Sequence, residues 1–395
     1  MTGRQIFFFP EDFIISNKIM AQTNLLIFHI LYCSILCERV IYLGLRRMLD
    51  LGTLGGLNSF AYDINNHKQI VGDSETANGD IHAYLWQKGV MTDLGTLGGS
   101  FFSTASSIND RGQIVGGAET SNNEFHAFLW QNGVMTDLDL GTLGGIASIA
   151  TAINERGQVV GNFLLANNVD VHGFLWENGV MTDLGTLGGS YCLPLSMNEH
   201  GQVVGESETA NGQVHGFIWH NGVMTDLGTL GGAFSGANSI NDRGQVVGAS
   251  ETSNGENHAF LWENGVMTDL DMPGGFSSAV DINNQGQIVG AGLTANGEFH
   301  ATLWQKGVMT DLGTLGGVQS FALFINERGQ VVGESFTANG ESHAFFWQNG
   351  VMTDLRTLGG SLSVPTSINE HGQVVGYSET DIDETLHAFL WPIQI

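Results

Sequence analysis

Eight histidines recur at one position of a repeated sequence, and they are the residues of this chain with the clearest chemical potential. An imidazole can bind a metal ion or exchange a proton near neutral pH. Catalysis, however, needs an asymmetric set of groups, and equivalent histidines provide none. We therefore predict one repeated structural hydrogen bond per histidine, to a loop carbonyl or a carboxylate, with no metal, no cofactor and no catalytic residue. The histidines are His82, His126, His172, His215, His258, His300, His343 and His387.

The eight tryptophans of the chain follow the same logic, because each lies four residues after one of these histidines. A residue type that is used once per repeat belongs to the structure of the repeat. Indole rings bury a large apolar area, so we predict that they fill the gaps between adjacent repeats rather than stack on a cofactor. The tryptophans are Trp86, Trp130, Trp176, Trp219, Trp262, Trp304, Trp347 and Trp391.

The strands that must position these residues are encoded by one sequence motif that is repeated eight times. It reads approximately D-L-G-T-L-G-G, S-x-A-x-x-I-N-x-x-G-Q-V-V-G, T-A-N-G and H-A-F-L-W-x-N-G-V-M-T. Apolar runs of four to six residues, rich in Val, Ile, Phe and Trp and separated by Gly and Asn, are typical of strands and turns. Each copy therefore predicts four antiparallel strands, a to d. The copies begin at Asp50, Asp93, Asp139, Asp183, Asp226, Asp269, Asp311 and Asp354.

The turns of the repeat are also specified by residue type. Asn-Gly pairs between strands c and d suit two-residue hairpins in which both residues need positive φ. The sequence I-N-x-x-G-Q places a glycine in the left-handed conformation between strands a and b. Lys68 replaces that glycine in the first copy. An L-residue pays roughly 1–2 kcal/mol there, so this hairpin should be weaker or differently shaped.

Four-stranded units with a period of 42 to 46 residues predict an all-β fold, an eight-bladed β-propeller. The last copy stops at Trp391-Pro392 without a proper strand d, whereas Met48-Leu49-Asp50-Leu51 matches the strand-d sequence. We predict that this N-terminal strand completes the last blade and closes the ring. An open β-solenoid is the alternative, although it would gain nothing from this offset.

The repeat resembles the HAF-family extracellular repeat, which is named after its H-A-F tripeptide. The tripeptide is intact at His126, His258, His343 and His387, and the D-L-G-T-L-G-G, G-Q-V-V-G and L-W-x-N-G-V-M-T segments also match. The resemblance covers about residues 48–395. It implies a bacterial protein that is extracellular or attached to the cell surface, and it implies no reaction.

Composition limits the possible partners. The formal net charge is -27, and the first 49 residues hold five basic against three acidic residues, so the negative charge belongs to the repeats. A polyanionic surface repels nucleic acid and anionic membranes. Of the three cysteines only Cys192 lies in the repeats, where we predict a small residue in a variable loop and no disulfide framework.

The first 47 residues form a separate segment, and residues 48–395 form one domain of repeats. Residues 24–37 are mostly apolar, and they suit a secretory leader better than a membrane span, although an anchor stays possible. A spurious N-terminal extension and an accessory strand are the other two interpretations. A membrane partner is predicted only if 24–37 is an anchor.

The loops that differ among copies indicate where function lies. The d–a and b–c connections share one face of a propeller and vary here, whereas the a–b and c–d turns on the other face are nearly constant. Aromatic residues among Ser, Asn and Gln on the variable loops could bind a peptide or a sugar, or could simply plug the central channel. These candidates are Phe60, Phe101, Phe102, Tyr191, Phe234, Phe276 and Phe321.

We therefore predict a monomeric, non-catalytic binding scaffold whose partner is an unknown protein or glycan and not nucleic acid. The first alternative is a propeller enzyme of the glycan- or ester-cleaving type, for which Tyr62, Asp63 and Asp281 are the mild candidates. The second alternative is a purely structural surface protein.

Overall fold

The computed structural model of the protein describes residues 47–138, 143–166, 169–382 and 385–392. These residues form strands and turns without a helix, so the predicted all-β fold is confirmed. Accordingly, no helix within these ranges is long and apolar enough to cross a membrane. The leader, anchor and extension predicted for the N-terminal segment, including residues 24–37, lie outside the described residues.

The structure contains 32 strands, which are numbered here in chain order. The first half comprises β1 (Leu49–Asp50), β2 (Gly55–Ile64), β3 (Ile70–Thr76), β4 (Ile81–Gln87), β5 (Val90–Gly95), β6 (Gly98–Ile108), β7 (Ile114–Thr120), β8 (Phe125–Gln131), β9 (Val134–Asp137), β10 (Gly145–Ile153), β11 (Val159–Leu165), β12 (Val171–Glu177), β13 (Val180–Asp183), β14 (Gly188–Met197), β15 (Val203–Thr209) and β16 (Val214–His220). The second half comprises β17 (Val223–Asp226), β18 (Gly231–Ile240), β19 (Val246–Thr252), β20 (Asn257–Glu263), β21 (Val266–Asp269), β22 (Ser277–Ile282), β23 (Gln287–Leu293), β24 (Phe299–Gln305), β25 (Val308–Asp311), β26 (Gly316–Ile325), β27 (Val331–Thr337), β28 (Ser342–Gln348), β29 (Val351–Arg356), β30 (Gly359–Ile368), β31 (Val374–Thr380) and β32 (Leu386–Trp391).

The first seven copies of the repeat each fold into four consecutive antiparallel strands, and the eighth supplies three. In the first copy β2 pairs with β3, β3 with β4 and β4 with β5. We call these groups units 1 to 8, beginning with β2–β5 as unit 1, and we call their members the first to fourth strands. Hydrogen bonds join the strands into four sheets of 8, 12, 8 and 4 strands, in part because third strands form single parallel bridges to the next unit.

The two ends of the described chain meet in unit 8. Its first three strands are β30, β31 and β32, and β1 from the N-terminal end supplies the fourth, with Leu49 opposite Leu390 and Asp50 opposite Phe389. The terminal pairing predicted from the sequence is therefore present. The first strand of each unit also contacts the first strands of both neighbours, and β30 contacts β2 in the same way.

The core lies between units rather than inside them. Ala83 and Leu85 on the third strand of unit 1 pack against Ala105, Ile108 and Phe128 of unit 2, and all five side chains are buried. Alternation along H-A-F-L-W explains this contact, because Ala and Leu point to one side of the sheet while Phe and Trp point to the other. Trp86, Trp219, Trp304 and Trp391 are buried, and the other four tryptophans are partly exposed.

The loops divide between two faces of the molecule. The turn face carries the turns between first and second strands and between third and fourth strands. The variable face carries the connections between second and third strands and between the fourth strand of one unit and the first strand of the next. On the turn face Lys68 has φ 59°, as the sequence predicts, where Gly112 of unit 2 has φ 71°.

Candidate functional site

The repeated histidines each bind a carboxylate across the last two strands of their unit. In unit 1 the Nδ1 atom of His82 lies 2.9 Å from an oxygen of Asp93, and the closest distances in the other units run from 2.7 to 2.9 Å. In units 1 to 7 the carboxylate belongs to the aspartate that ends V-M-T-D, eleven residues after the histidine. In unit 8 the pair is His387 and Asp50, which fixes β1 onto β32.

This geometry makes the histidines supports of the sheet. Each imidazole commits Nδ1 to its aspartate, and the same aspartate also accepts a backbone N–H two residues later, as Asp93 does from Gly95. The pKa of Asp354 lies below its usual value. Burial of the carboxylate acts to raise this pKa, but the hydrogen bonds from His343 and from the Arg356 N–H outweigh burial. Among the described residues no three His, Cys, Asp or Glu side chains gather as a metal site.

A ring of asparagines on the turn face links every unit to the next. The Nδ2 atom of each I-N asparagine donates to the backbone carbonyl of the equivalent asparagine in the following unit, at 3.0 to 3.2 Å. Asn369 of unit 8 donates to Asn65 of unit 1, so the series returns to its start. Sequence analysis assigned the I-N-x-x-G-Q segment to a turn and missed this second use.

A second ring on the same face consists mainly of carboxylates. The residue after each asparagine accepts the backbone N–H of its counterpart in the preceding unit at 2.7 to 3.1 Å. Burial, and then neighbouring negative charge, raises the pKa values of Glu155 and Glu327. The ring comprises Asn66, Asp110, Glu155, Glu199, Asp242, Asn284, Glu327 and Glu370.

Two of the three candidates for a catalytic role, Asp63 and Asp281, form hydrogen bonds between units. Asp63 accepts hydrogen bonds from the Ser107 hydroxyl of unit 2 and the Ser367 hydroxyl of unit 8, and burial raises its pKa. Asp281 makes the same kind of bridge between units 5 and 7. Tyr62 donates to Asp73 on the neighbouring strand at 3.0 Å. The two aspartates belong to units 1 and 6, so the fold does not bring these candidates into one site.

In seven of the eight units a buried serine on the first strand forms a further link that was not predicted from the sequence. Its hydroxyl accepts an N–H from the third strand of the preceding unit, as Ser103 does from Ala83 at 2.9 Å. Cys192 occupies this position in unit 4, so its predicted place in a variable loop is wrong. The thiol is fully buried in β14, and burial raises its pKa to about 12.

The aromatic candidates of the variable face fall into two groups. Phe101 and Phe276 are exposed. The others are half-buried, and several pack in pairs: Phe60 with Tyr377 at 5.2 Å between ring centroids, and Phe102 with Phe125 at 5.6 Å. Tyr191 and Phe234 are also half-buried.

A short aromatic row runs along units 6 and 7 on the variable face. Phe299 lies 5.6 Å from Phe276 and 6.0 Å from Phe321, measured between ring centroids. Phe125 and Phe299 were not among the candidates predicted from the sequence; each precedes a repeated histidine and begins the third strand of its unit.

The structure also adds three aliphatic residues to this face. Leu57, Ile146 and Val318 are exposed on their first strands, where Ser190, Ala233 and Ser361 stand in units 4, 5 and 8. The signal was present in the sequence: each of the three follows the glycine pair at the end of D-L-G-T-L-G-G.

Comparison with known proteins gives structural likenesses alone. No family model matches the chain, and no curated protein matches it. Similar solved structures include a puromycin-hydrolysing peptidase of Mycobacterium tuberculosis, at 10% identity over 84% of this chain and 60% of that chain, with a TM-score of 0.48. An acylaminoacyl peptidase of Pyrococcus horikoshii has 11% identity over 85% and 60%, with a TM-score of 0.46. TolB of Acinetobacter baumannii has 10% identity over 80% and 76%, with a TM-score of 0.37.

These likenesses correct one prediction and assign no activity. The prediction that the chain is not an enzyme is wrong as stated, because peptidases stand among the similar structures. The chain spans about 60% of the length of the first peptidases that it matches. With TM-scores below 0.5 and identities near 10%, the comparisons give no substrate to this chain.

Proposed function

We propose that residues 48–395 form an eight-bladed, closed β-propeller of HAF-type repeats that acts as a binding scaffold through its variable face. Support for closure comes from the pairing of β1 with β32 and from the hydrogen bond that returns from Asn369 to Asn65. The resemblance to the HAF repeat is the support for a protein that acts outside the cell or on its surface, with a protein or a glycan as partner.

One observation supports the assignment of the variable face as the binding surface. Leu57, Phe101 and Val318 expose 63%, 62% and 60% of their surface at a position where other repeats have Ser or Ala. The fold of the repeat therefore does not require a large apolar side chain at this position. Exposed apolar residues are ordinary on a protein surface, and exposed valines recur beside the turn face as part of the repeat. At the variable-face position large apolar residues occur in some units only, which favours a role in recognition rather than in the fold.

The rigidity of the scaffold also supports a role of the variable face in binding. Hydrogen bonds hold the turn face from unit to unit, and the backbone N–H groups of Leu57 and Phe101 are fixed by the carboxylates of Glu75 and Glu119. A surface that is already ordered loses little entropy when it binds a partner. Variable side chains on a rigid base are the usual arrangement of a recognition surface.

A matched pair of variants tests the assignment. The face variant combines Leu57→Ser, Phe101→Ser and Val318→Ser. The control variant combines Val308→Ser, Val134→Ser and Val90→Ser, which expose 63%, 62% and 60% beside the turn face. Because all six side chains are exposed, neither variant should change the melting temperature by more than about 1–2 °C.

Wild type and both variants are applied to peptide and glycan arrays. We expect wild type and the control variant to bind the same probes, and the face variant to lose at least about tenfold in affinity, since interface anchors cost more than 1 kcal/mol each. Equal binding by all three proteins, loss in the control variant alone, or no capture of any probe by wild type would each contradict the proposal.

A further inference from the structure

We infer that the partner of the variable face is a cationic polypeptide segment with apolar side chains; this inference rests on the binding face proposed above. The apolar part of the surface comes from Leu57, Phe101, Ile146 and Val318, which belong to units 1, 2, 3 and 7, together with Phe276 of unit 6. These side chains stand at the starts of the first strands, and the first strands contact one another around the molecule. The apolar residues therefore fall on two runs of adjacent units, 1 to 3 and 6 to 7.

Basic side chains are distributed unequally between the two faces. Eight lysines and arginines occur from residue 48 onwards, and seven of them lie in turns of the turn face. Arg356 is the one that lies in a connection of the variable face. The seven on the turn face are Lys68, Lys88, Arg111, Arg156, Arg243, Lys306 and Arg328.

The carboxylates of the variable face form two groups, and Arg356 is the one basic residue near them, whereas the carboxylate ring of the turn face lies among seven basic residues. One group ends the second strands, and its members accept N–H groups near the apolar residues with one oxygen each, as Glu75 and Glu119 do. A further group lies in the connections between second and third strands: Asp80, Glu124, Asp170, Glu256, Glu298 and Glu341. Glu124 and Glu298 are about half exposed.

Together these features select a class of partner. A negative potential over one face attracts cationic segments and repels anionic glycans, nucleic acids and acidic proteins. Three of the five apolar residues, Leu57, Ile146 and Val318, are aliphatic and offer no flat ring on which a sugar could stack. Aliphatic and aromatic side chains inside an acidic border fit a peptide whose Lys or Arg residues alternate with apolar residues.

The test uses three fluorescein-labelled synthetic peptides of equal length. The first contains Lys and Leu, the second contains Lys and Ser with the same charge, and the third contains Gln and Leu. They are titrated into wild type, the face variant, the control variant and two charge variants. Glu124→Gln with Glu298→Gln removes charge from the variable face, and Glu177→Gln with Glu263→Gln removes the same charge from the turn face.

We expect the Lys–Leu peptide to bind wild type and the control variant with equal Kd. The face variant should bind it at least about tenfold more weakly. The Glu124/Glu298 variant should bind it several-fold more weakly, with a smaller dependence on salt, because screening then acts on fewer charges. The turn-face charge variant should bind nearly as wild type does.

Other outcomes would refute either the cationic, apolar partner alone or the proposed binding face as well. Equal binding of the Lys–Leu and Lys–Ser peptides to wild type would overturn the inference, since attraction by charge alone would explain both. Preference for the Gln–Leu peptide, or capture of glycans that the face variant loses, would also overturn it while the binding face stands. If the face variant behaves as wild type with every peptide and every array probe, both proposals fail.

Discussion

The asparagine ring yields the sharpest prediction, because its last bond joins the two ends of the repeat series. Asn369 is 5% exposed, and its side chain makes four hydrogen bonds of 2.9 to 3.0 Å. The Oδ1 atom of Asn369 accepts two backbone N–H groups of its own turn. Its Nδ2 atom donates to Gln373 Oε1 and to the Asn65 carbonyl of unit 1. Asn369→Ala removes all four and leaves the Asn65 carbonyl without this donor.

The size of the effect follows from those orphaned groups. A buried polar group that loses its partner costs about 1–3 kcal/mol. Water can reach the two turn N–H groups, whereas the carbonyl lies between units. We therefore expect Asn369→Ala to lower the free energy of unfolding by about 3 kcal/mol. The measurement is urea unfolding followed by tryptophan fluorescence, because every unit contributes one indole.

Asn198→Ala in unit 4 is the matched control. Asn198 is 4% exposed and makes the same four contacts, the last one to the Asn241 carbonyl of unit 5. In a closed ring the two variants should lose equal stability. In an open stack the bond from Asn369 to Asn65 would not exist, so Asn369→Ala would cost less than Asn198→Ala by about 1 kcal/mol. Such a difference would refute ring closure, and a loss below about 1 kcal/mol in both would refute the structural role of the asparagines.

Three further predictions concern single residues. Lys68→Gly should raise the free energy of unfolding by roughly 0.5–1 kcal/mol by relieving the positive φ of 59°, and Gly112→Lys should lower it; equal curves in urea would exclude strain at this turn. The Tyr84 hydroxyl is fully buried without a hydrogen-bond partner in the described part of the chain, so Tyr84→Phe should stabilise by about 1 kcal/mol in calorimetry, and a loss would show an unseen partner. Burial raises the pKa of Glu334, so protonation favours the folded state; relative to Glu334→Gln, wild type should gain stability as the pH falls from 7 and level off near pH 4, and an unchanged difference would contradict the raised pKa.

Much of the fold could be predicted from the sequence, because the interactions that form it are local. Alternating apolar runs and Asn-Gly turns define four strands within about 43 residues, and hairpin pairing between adjacent strands needs no information from elsewhere in the chain. The match between Met48–Leu51 and the strand-d sequence was enough to predict that β1 completes unit 8. Lys68 in a left-handed turn was predicted on the same local grounds.

The exposure of the candidate residues on the variable face was predicted only in part. The variable face was identified from the loops that differ, yet most of its chosen aromatics are half-buried, and Phe102 packs on Phe125. Exposure depends on neighbours from other strands, as Phe102 shows by packing on Phe125 of β8, so residue type alone could not separate Phe101 from Phe102. Leu57 and Val318 could have been found from the sequence, because each follows a glycine pair where other copies have Ser or Ala.

By itself, the sequence determined the strands, the turns, the repeat number and the negative charge, since these follow from residue types and spacings within one copy. Only the tertiary structure decided the partners of the repeated polar residues. His82 meets Asp93 eleven residues away across a strand pair, whereas Asn65 meets Asn109 and Ser103 meets Ala83 across the boundary between units. Such contacts depend on how one sheet packs against the next, and packing is a property of the assembled units rather than of any single copy.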